Sequence, residues 1–152
     1  MNTVLTQDIK QFADNFPLKD ELRNQTIAIT GATGLLGSCM TWCLLMLNRK
    51  HQLKLRVIAI VRNAEKARQM FGEETKSFGI LTYDFAQHVP FDAPEHIDYL
   101  IHFAAPTASK AFVEQPIETM NTVFFGTNSL LDYARKTHLS SFVLASTLEV
   151  YG

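Results

Sequence analysis

The 152-residue sequence predicts an α/β fold in which helices wind on both sides of a parallel sheet. Short β-branched or apolar runs of strand length alternate along the chain with longer segments of helical apolar spacing. One run, 55–61, is almost continuously apolar, as is typical of a strand buried on both faces of a parallel sheet. A third observation is that the first strand, 26–30, leads directly into a glycine-rich turn and a helix.

The elements can be placed in order along the chain. Residues 3–15 have the apolar spacing of an amphipathic helix, which Pro17 ends. Strands are predicted at 26–30, 55–61, 79–83, 99–105 and 141–146, and helices at 35–48, 64–71 and 116–136. A doubly wound sheet ordinarily continues beyond five strands, so the sequence predicts one that is truncated after the fifth.

The longest helix, 116–136, begins at Pro116, a residue that suits the first helical turn. Its apolar residues are expected to form one buried stripe. They are Ile117, Met120, Val123, Phe124, Leu130, Leu131 and Ala134.

Composition and charge exclude several classes of protein. The net charge of −1 gives no reason to expect a nucleic acid or an anionic membrane as partner. The uncharged stretch 24–48 is long enough to span a bilayer, but its glycines and β-branched opening argue against a membrane helix. Cys39 and Cys43 stand four apart on one predicted helix and the histidines are scattered, so we expect reduced thiols, no metal site and a cytoplasmic protein.

The glycines after the first strand have the spacing of a phosphate-binding turn. Gly31 allows the tight turn, Gly34 lets a pyrophosphate approach the backbone, and Gly37 lets helix and strand pack closely. The helix N-terminus adds N–H groups and a partial positive charge. An ordinary glycine-rich turn between strand and helix is the alternative. We expect a Rossmann-like dinucleotide site that includes Gly31, Thr33, Gly34, Leu35, Leu36 and Gly37.

The residues after the second strand bear on the choice between NAD and NADP. A site that prefers NAD usually has an acidic residue there to bind the ribose 2′-hydroxyl. This sequence has Arg62 instead, whose planar cation suits a 2′-phosphate, and no carboxylate before Glu65. The cofactor is therefore expected to be NAD or NADP, with NADP slightly favoured. The alternative is a solvated arginine at the start of the next helix.

Polar or small residues follow the third and fourth strands. Asp84 could accept the adenine amino group while Phe85 packs on the ring, or Asp84 could simply cap a turn. Ala104 and Ala105 leave space for a cofactor beside the strand end. His102, on an apolar strand, is expected to be a buried and hydrogen-bonded core residue.

Hydroxyls and a carboxylate follow the fifth strand, near the expected nicotinamide. Ser146 and Thr147 could hold a substrate alcohol, and Glu149 could move protons. The alternative is a generic strand end followed by a turn.

Together these motifs resemble the extended short-chain dehydrogenase/reductases, in particular the NAD-dependent epimerase/dehydratase group that acts on sugar nucleotides. The matching pieces run in family order from the first strand to the last residue, and the segment after His102 is most similar to UDP-glucuronate decarboxylases and dTDP-glucose 4,6-dehydratases. The pieces are 30–37, Asp84-Phe85, His102 to Ala105, Pro116 with Asn121, Gly126-Thr127 and 146–152.

The resemblance implies a nucleotide-sugar substrate that is oxidised at its 4-hydroxyl by hydride transfer to the nicotinamide, giving a 4-keto intermediate. By that likeness Thr147 would hold the hydroxyl, Glu149 would be an acid or base, and Asn121 would support the active-site helix. It also implies a partial NAD(P)-binding domain at 26–152 without the C-terminal substrate region, and a possible homodimer, while the apolar spacing before it predicts a helical leader at 1–25.

Two departures from the family pattern limit the activity that the resemblance implies. Leu148 stands where the dehydratases carry an acid, which favours decarboxylation or epimerisation. No tyrosine has a lysine four residues on, so the Tyr-x-x-x-Lys pair is missing and these 152 residues are expected to be inactive alone. The other functions considered are a non-catalytic NADP-sensing domain and an NADPH-dependent carbonyl reductase.

Overall fold

A computed structural model describes residues 3–106 and 109–146, which form a five-stranded sheet flanked by helices. The strands lie in the order β3-β2-β1-β4-β5, and every neighbouring pair is parallel. The elements are α1 (Thr3–Asn15), β1 (Thr26–Thr30), α2 (Leu35–His51), β2 (Arg56–Val61), α3 (Ala64–Phe71), β3 (Phe78–Thr82), β4 (Tyr99–His102), α4 (Ser109–Glu114), α5 (Pro116–Thr137) and β5 (Ser141–Leu144). The predicted Rossmann-like fold class is confirmed.

Each face of the sheet has its own hydrophobic core. On one face Ile27 and Ile29 of β1 join a cluster that includes residues of α1, α2 and α3. On the other face Ala28 of β1 joins a cluster that includes Leu130 and Tyr133 of α5. The alternation of side chains along β1 thus separates the two cores, and helices cover both faces.

The N-terminal helix belongs to the first of these cores. Ile9 and Ala13 of α1 are buried, Asp14 forms an ion pair with Lys50, and the His51 ring contacts the Ala13 carbonyl oxygen through Nε2 at 2.8 Å. Helix α1 therefore packs along α2 and is joined to its C-terminal end.

The end of α2 is also tied to the start of β2. The buried Asn48 side chain donates from Nδ2 to the Leu55 carbonyl oxygen at 2.7 Å and accepts from the Leu55 N–H at 3.0 Å. One amide therefore satisfies both backbone polar groups of Leu55.

The prediction of one buried apolar stripe on α5 is wrong. Leu130 is buried, but Ile117, Met120 and Phe124 are each 65% exposed. The residues that α5 buries are Thr119, Gly126, Leu130 and Tyr133. Gly126 lies against the Phe85 ring, where a Cβ would come within 2.8 Å of it. The sheet-facing side of α5 thus contains a threonine and a glycine, and most of its large aliphatic residues lie on another side.

Several boundaries also differ from the predicted ones. β4 ends at His102 instead of residue 105, since the chain there leaves the sheet to meet the glycine turn. α2 continues to His51 and ends at Gln52, which adopts the left-handed conformation without a glycine. The short helix α4 was not predicted. Of the helices in the described part of the chain, none is long and apolar enough to cross a membrane.

Candidate functional site

The residues predicted to bind a cofactor follow the carboxyl ends of the strands, and these ends share one edge because the sheet is parallel. Thr30, the last residue of β1, pairs with Ile60 of β2 on one side and with His102 of β4 on the other. The chain fills the positions on the β2 side first and then returns to place β4 next to β1. In such sheets a ligand binds in the crevice where the strand order reverses, which here lies beside the glycine turn.

Two of the glycines in the turn are required by close backbone contacts. Gly31 has a φ of +63°, and a Cβ there would lie 2.9 Å from the Ala104 nitrogen. A Cβ at Gly37 would lie 2.8 Å from the Ala32 Cα and still closer to the Gly31 carbonyl oxygen. The turn is therefore pressed between the segment after β4 and the first turn of α2.

The third glycine leaves the outer side of the turn open. Gly34 is exposed, and a Cβ there would meet only the Gly31 carbonyl oxygen, at 3.2 Å. Gly34 is also the N-cap of α2, with no side chain capping it and no acidic residue in the first helical turn. Leu35 and Leu36 are exposed beside it. The N–H groups of this helix end are thus available to a ligand, and the open backbone fits a pyrophosphate.

A buried network of hydrogen bonds lies directly under the turn. The Ala104 N–H donates to Thr30 Oγ1 at 3.0 Å, and the same oxygen is 2.6 Å from His102 Nδ1. On the other side of the ring, His102 Nε2 is 3.2 Å from Thr127 Oγ1 of α5. Burial lowers the pKa of His102 to about 4, so the ring is neutral at neutral pH. The expectation of a buried and hydrogen-bonded His102 is confirmed.

Arg62 lies at the same edge, directly after β2. Its side chain is exposed, and in the described residues it forms no ion pair, whereas Arg68 of α3 lies near three glutamates. Asn63, which follows it, caps α3 by accepting from the Lys66 N–H at 2.9 Å. Within the described residues the Arg62 guanidinium is thus a positive charge without an ion-pair partner, at the edge where a ribose phosphate could bind.

Asp84 and Phe85 have structural roles at the end of β3. The Asp84 carboxylate accepts from the Ala86 N–H at 3.1 Å and so caps a single turn of 3-10 helix over Phe85–Gln87. The Phe85 ring is buried, with its centre 4.8 Å from that of Tyr83 and 5.4 Å from that of His102. The ring therefore belongs to the core. Of the two alternatives for Asp84 the structure shows the cap, and the contact of Phe85 with adenine stays a prediction.

The remaining predicted residues are dispersed around the edge. Ala104 is half-buried against the glycine turn, and Ala105 and Ser146 are exposed. Asn121 is half-buried in the second turn of α5. Thr147 and Glu149, the predicted catalytic residues, lie outside the described residues. The described part of the chain contains no group of three potential metal ligands.

Thr30 and Thr127 lie within motifs that the sequence shares with the family, but no role was predicted for either hydroxyl. A threonine in a β-strand is ordinary, and only the pairing of Thr30 with His102 brings its hydroxyl to the imidazole.

Comparison with known proteins gives a consistent match. The NAD dependent epimerase/dehydratase family matches residues 27–152. UDP-glucuronic acid decarboxylase 1 of Xenopus tropicalis is 26% identical over 146 residues, which are 94% of this chain and 32% of the relative. The dTDP-D-glucose 4,6-dehydratase of Dictyostelium discoideum is 29% identical over 138 residues, 88% of this chain and 31% of the relative. The chain thus spans about a third of the length of these curated relatives.

A solved structure supports the same fold. UDP-glucose 4-epimerase from Bifidobacterium longum, in complex with NAD+ and UDP, superposes with a TM-score of 0.63 at 23% identity. The superposition covers 84% of this chain and 38% of that one.

Proposed function

Since the chain belongs to the NAD-dependent epimerase/dehydratase family, we propose that it is the cofactor-binding part of an enzyme that epimerises, dehydrates or decarboxylates a nucleotide sugar. The observation that carries the proposal is the open glycine turn at the end of β1. Gly31 and Gly37 are fixed by backbone contacts, and Gly34 leaves its outer side and the N-terminus of α2 accessible. This arrangement suits the pyrophosphate of NAD or NADP.

The other parts of the cofactor follow from the order of the strands. The adenosine ribose would lie toward β2 and Arg62, and the adenine toward Asp84. The nicotinamide would lie on the other side of the turn, beside Ala104 and Ala105 and near Ser146. In this arrangement Thr33, Leu35 and Leu36 line the pyrophosphate through the backbone of the turn.

The cofactor supplies the redox chemistry, since its nicotinamide accepts a hydride from a sugar hydroxyl and can return it. The chain's own residues bind and orient the reactants. Thr147 would hold the reacting sugar hydroxyl, Glu149 would take or give a proton, and Asn121 would support α5 near them. The UDP-linked or dTDP-linked substrates of the relatives lead us to propose a nucleotide sugar as the substrate.

The chain lacks the family's Tyr-x-x-x-Lys pair, so we propose that these 152 residues bind the cofactor without turning over a sugar nucleotide. Leu148 cannot deliver a proton, which favours decarboxylation or epimerisation over 4,6-dehydration.

We further propose that Arg62 favours NADP over NAD. Its exposed guanidinium has no carboxylate partner in the described residues and can form a bidentate contact with a 2′-phosphate. A hydrogen bond to a charged group contributes about 1.5–3 kcal/mol, which corresponds to a roughly tenfold or larger preference.

Isothermal titration calorimetry of the purified chain with NAD and with NADP tests the proposed cofactor site and the proposed role of Arg62. We expect tighter binding of NADP, and we expect Arg62→Gln to weaken NADP binding about tenfold while NAD binding stays unchanged. Arg135→Gln is the matched control, because Arg135 is an exposed arginine of α5 that pairs with Asp132.

The outcomes distinguish a wrong cofactor site from a wrong role for Arg62. If neither dinucleotide binds, the cofactor site is wrong. If both bind and Arg62→Gln weakens them equally, the site stands and the role of Arg62 in discriminating between them is wrong.

A further inference from the structure

We propose that His102 is a positioning residue of the dinucleotide site, because through Thr30 it holds the segment after β4 against the glycine turn. The inference rests on the proposed function. It assigns to His102 a role beyond filling the core, namely setting the shape of the crevice in which the cofactor binds.

The His102 side chain is where the elements that surround the site meet. It is only 3% exposed. Its ring contacts Thr30 of β1 and Thr127 of α5 through its two nitrogens, and its centre lies 5.4 Å from that of Phe85 and 6.3 Å from that of Phe142 in β5. One imidazole therefore joins the carboxyl ends of β1 and β4 to α5, and it lies beside rings of β5 and of the turn after β3.

The two ring nitrogens of His102 have opposite roles in the network. Burial lowers the pKa of His102 to about 4, so one ring nitrogen donates and the other accepts at neutral pH. The Ala104 N–H donates to Thr30 Oγ1, and the same oxygen either donates its own proton to His102 Nδ1 or accepts the proton of Nδ1, according to the tautomer of the ring. His102 Nε2 takes the opposite role toward the Thr127 hydroxyl. His102 thus orients the Thr30 oxygen toward the Ala104 N–H.

The contact between Ala104 and the glycine turn connects this network to the cofactor. A Cβ on Gly31 would lie 2.9 Å from the Ala104 nitrogen, so the turn and the segment after β4 touch backbone to backbone. The bond from Ala104 N–H to Thr30 is the polar contact that fixes their separation, at 3.0 Å. If Thr30 loses its orientation, Ala104 moves relative to the turn, and the crevice changes where the cofactor passes from pyrophosphate to nicotinamide.

Four variants test the inference by calorimetric titration with NAD at a temperature where each is folded. Thr30→Val removes the acceptor for Ala104, and we expect about tenfold weaker NAD binding. His102→Leu should weaken binding to the same extent, whereas His102→Asn, whose side-chain amide can accept from or donate to Thr30 in place of Nδ1, should bind within about threefold of the wild type. Thr119→Val is the matched control, since Thr119 is a buried threonine of α5 whose hydroxyl donates to the Ala111 carbonyl oxygen.

Amide hydrogen exchange of Ala104, measured by NMR without cofactor, provides a readout that overall destabilisation does not mimic. The Ala104 amide should exchange faster in Thr30→Val than in Thr119→Val when both are compared at equal free energy of unfolding. Among the two variants of His102, the Ala104 amide should exchange faster in His102→Leu than in His102→Asn.

The results that would overturn the inference are distinct from those that would overturn the proposed function. Equal NAD affinity of Thr30→Val and Thr119→Val, or of the Asn and Leu variants at His102, contradicts a positioning role. A wild-type chain that binds no dinucleotide contradicts the proposed function, and the Ala104 exchange rates then show separately whether the network holds that amide.

Discussion

The glycine turn allows folding and cofactor binding to be separated by two alanine substitutions three residues apart. In Gly37→Ala the new Cβ would lie 2.8 Å from the Ala32 Cα and closer still to the Gly31 carbonyl oxygen. Both neighbours are backbone atoms, so α2 must move away from the turn by about 1 Å, and overpacking of this kind costs about 1–3 kcal/mol. The higher helix propensity of alanine offsets up to about 1 kcal/mol of this cost, so we expect the free energy of unfolding to fall by about 1–2 kcal/mol.

Gly34→Ala is expected to give the opposite result. Its φ of −80° suits any residue, and its Cβ would meet only the Gly31 carbonyl oxygen, at 3.2 Å. The free energy of unfolding should therefore stay within about 0.5 kcal/mol of the wild type. The methyl group would occupy the open side of the turn, where the pyrophosphate approaches, and should weaken dinucleotide binding about tenfold or more.

Urea unfolding followed by circular dichroism and calorimetric titration with NAD and NADP measure the two effects. Gly37→Ala should lower both the free energy of unfolding and the affinity for the dinucleotide. Gly34→Ala should lower the affinity alone. If Gly34→Ala binds the cofactor normally, the pyrophosphate does not lie on that side of the turn. If Gly37→Ala unfolds like the wild type, the close packing of α2 on the turn is wrong.

Two further predictions concern stability. Because burial lowers the pKa of His102 from 6.5 to about 4, the unfolded chain binds a proton in that range that the folded chain does not. The free energy of unfolding should therefore be highest above pH 6.5 and should fall by up to about 3 kcal/mol as the pH drops toward 4. Urea unfolding at a series of pH values measures this loss, which should be absent from His102→Gln. Asn48→Ala should cost about 2–3 kcal/mol in the same assay because it leaves two buried polar groups of Leu55 unpaired, and the exposed cap variant Asn63→Ala should cost only about 1 kcal/mol.

The sequence predicts best where local chemistry alone determines the structure. β1 begins and ends at the predicted residues, and α2 starts where predicted, because the glycines of the turn permit few alternatives. Helix α1 likewise has the predicted bounds, since its apolar spacing and Pro17 are local signals. The residues of the glycine turn that are proposed to bind the pyrophosphate could be predicted because the glycine spacing is also a local signal.

The structure departs from the prediction where tertiary contacts decide. The apolar spacing of α5 does not reveal which side faces the sheet, because Gly126 and Thr119 occupy the buried side and Met120 and Phe124 do not. The packing of the Phe85 ring against Gly126 was not predicted either, because it depends on where α5 crosses the sheet. The contact between Thr30 and His102 depends on strand register, which a single sequence does not determine.

The packing of α1 along α2 has a mechanical consequence for the glycine turn. α2 is a rod of 17 residues, about 25 Å long, with the turn at one end and the contacts of Asp14 and Ala13 with Lys50 and His51 at the other. If such a rod pivoted about its midpoint by about 5°, its N-terminus would swing by about 1 Å, a displacement large enough to spoil the alignment of a bound reactant. Helix α1, which packs along α2 and is joined to its C-terminal end, therefore helps to fix the orientation of α2, and weakening these contacts would displace the glycine turn at the N-terminal end.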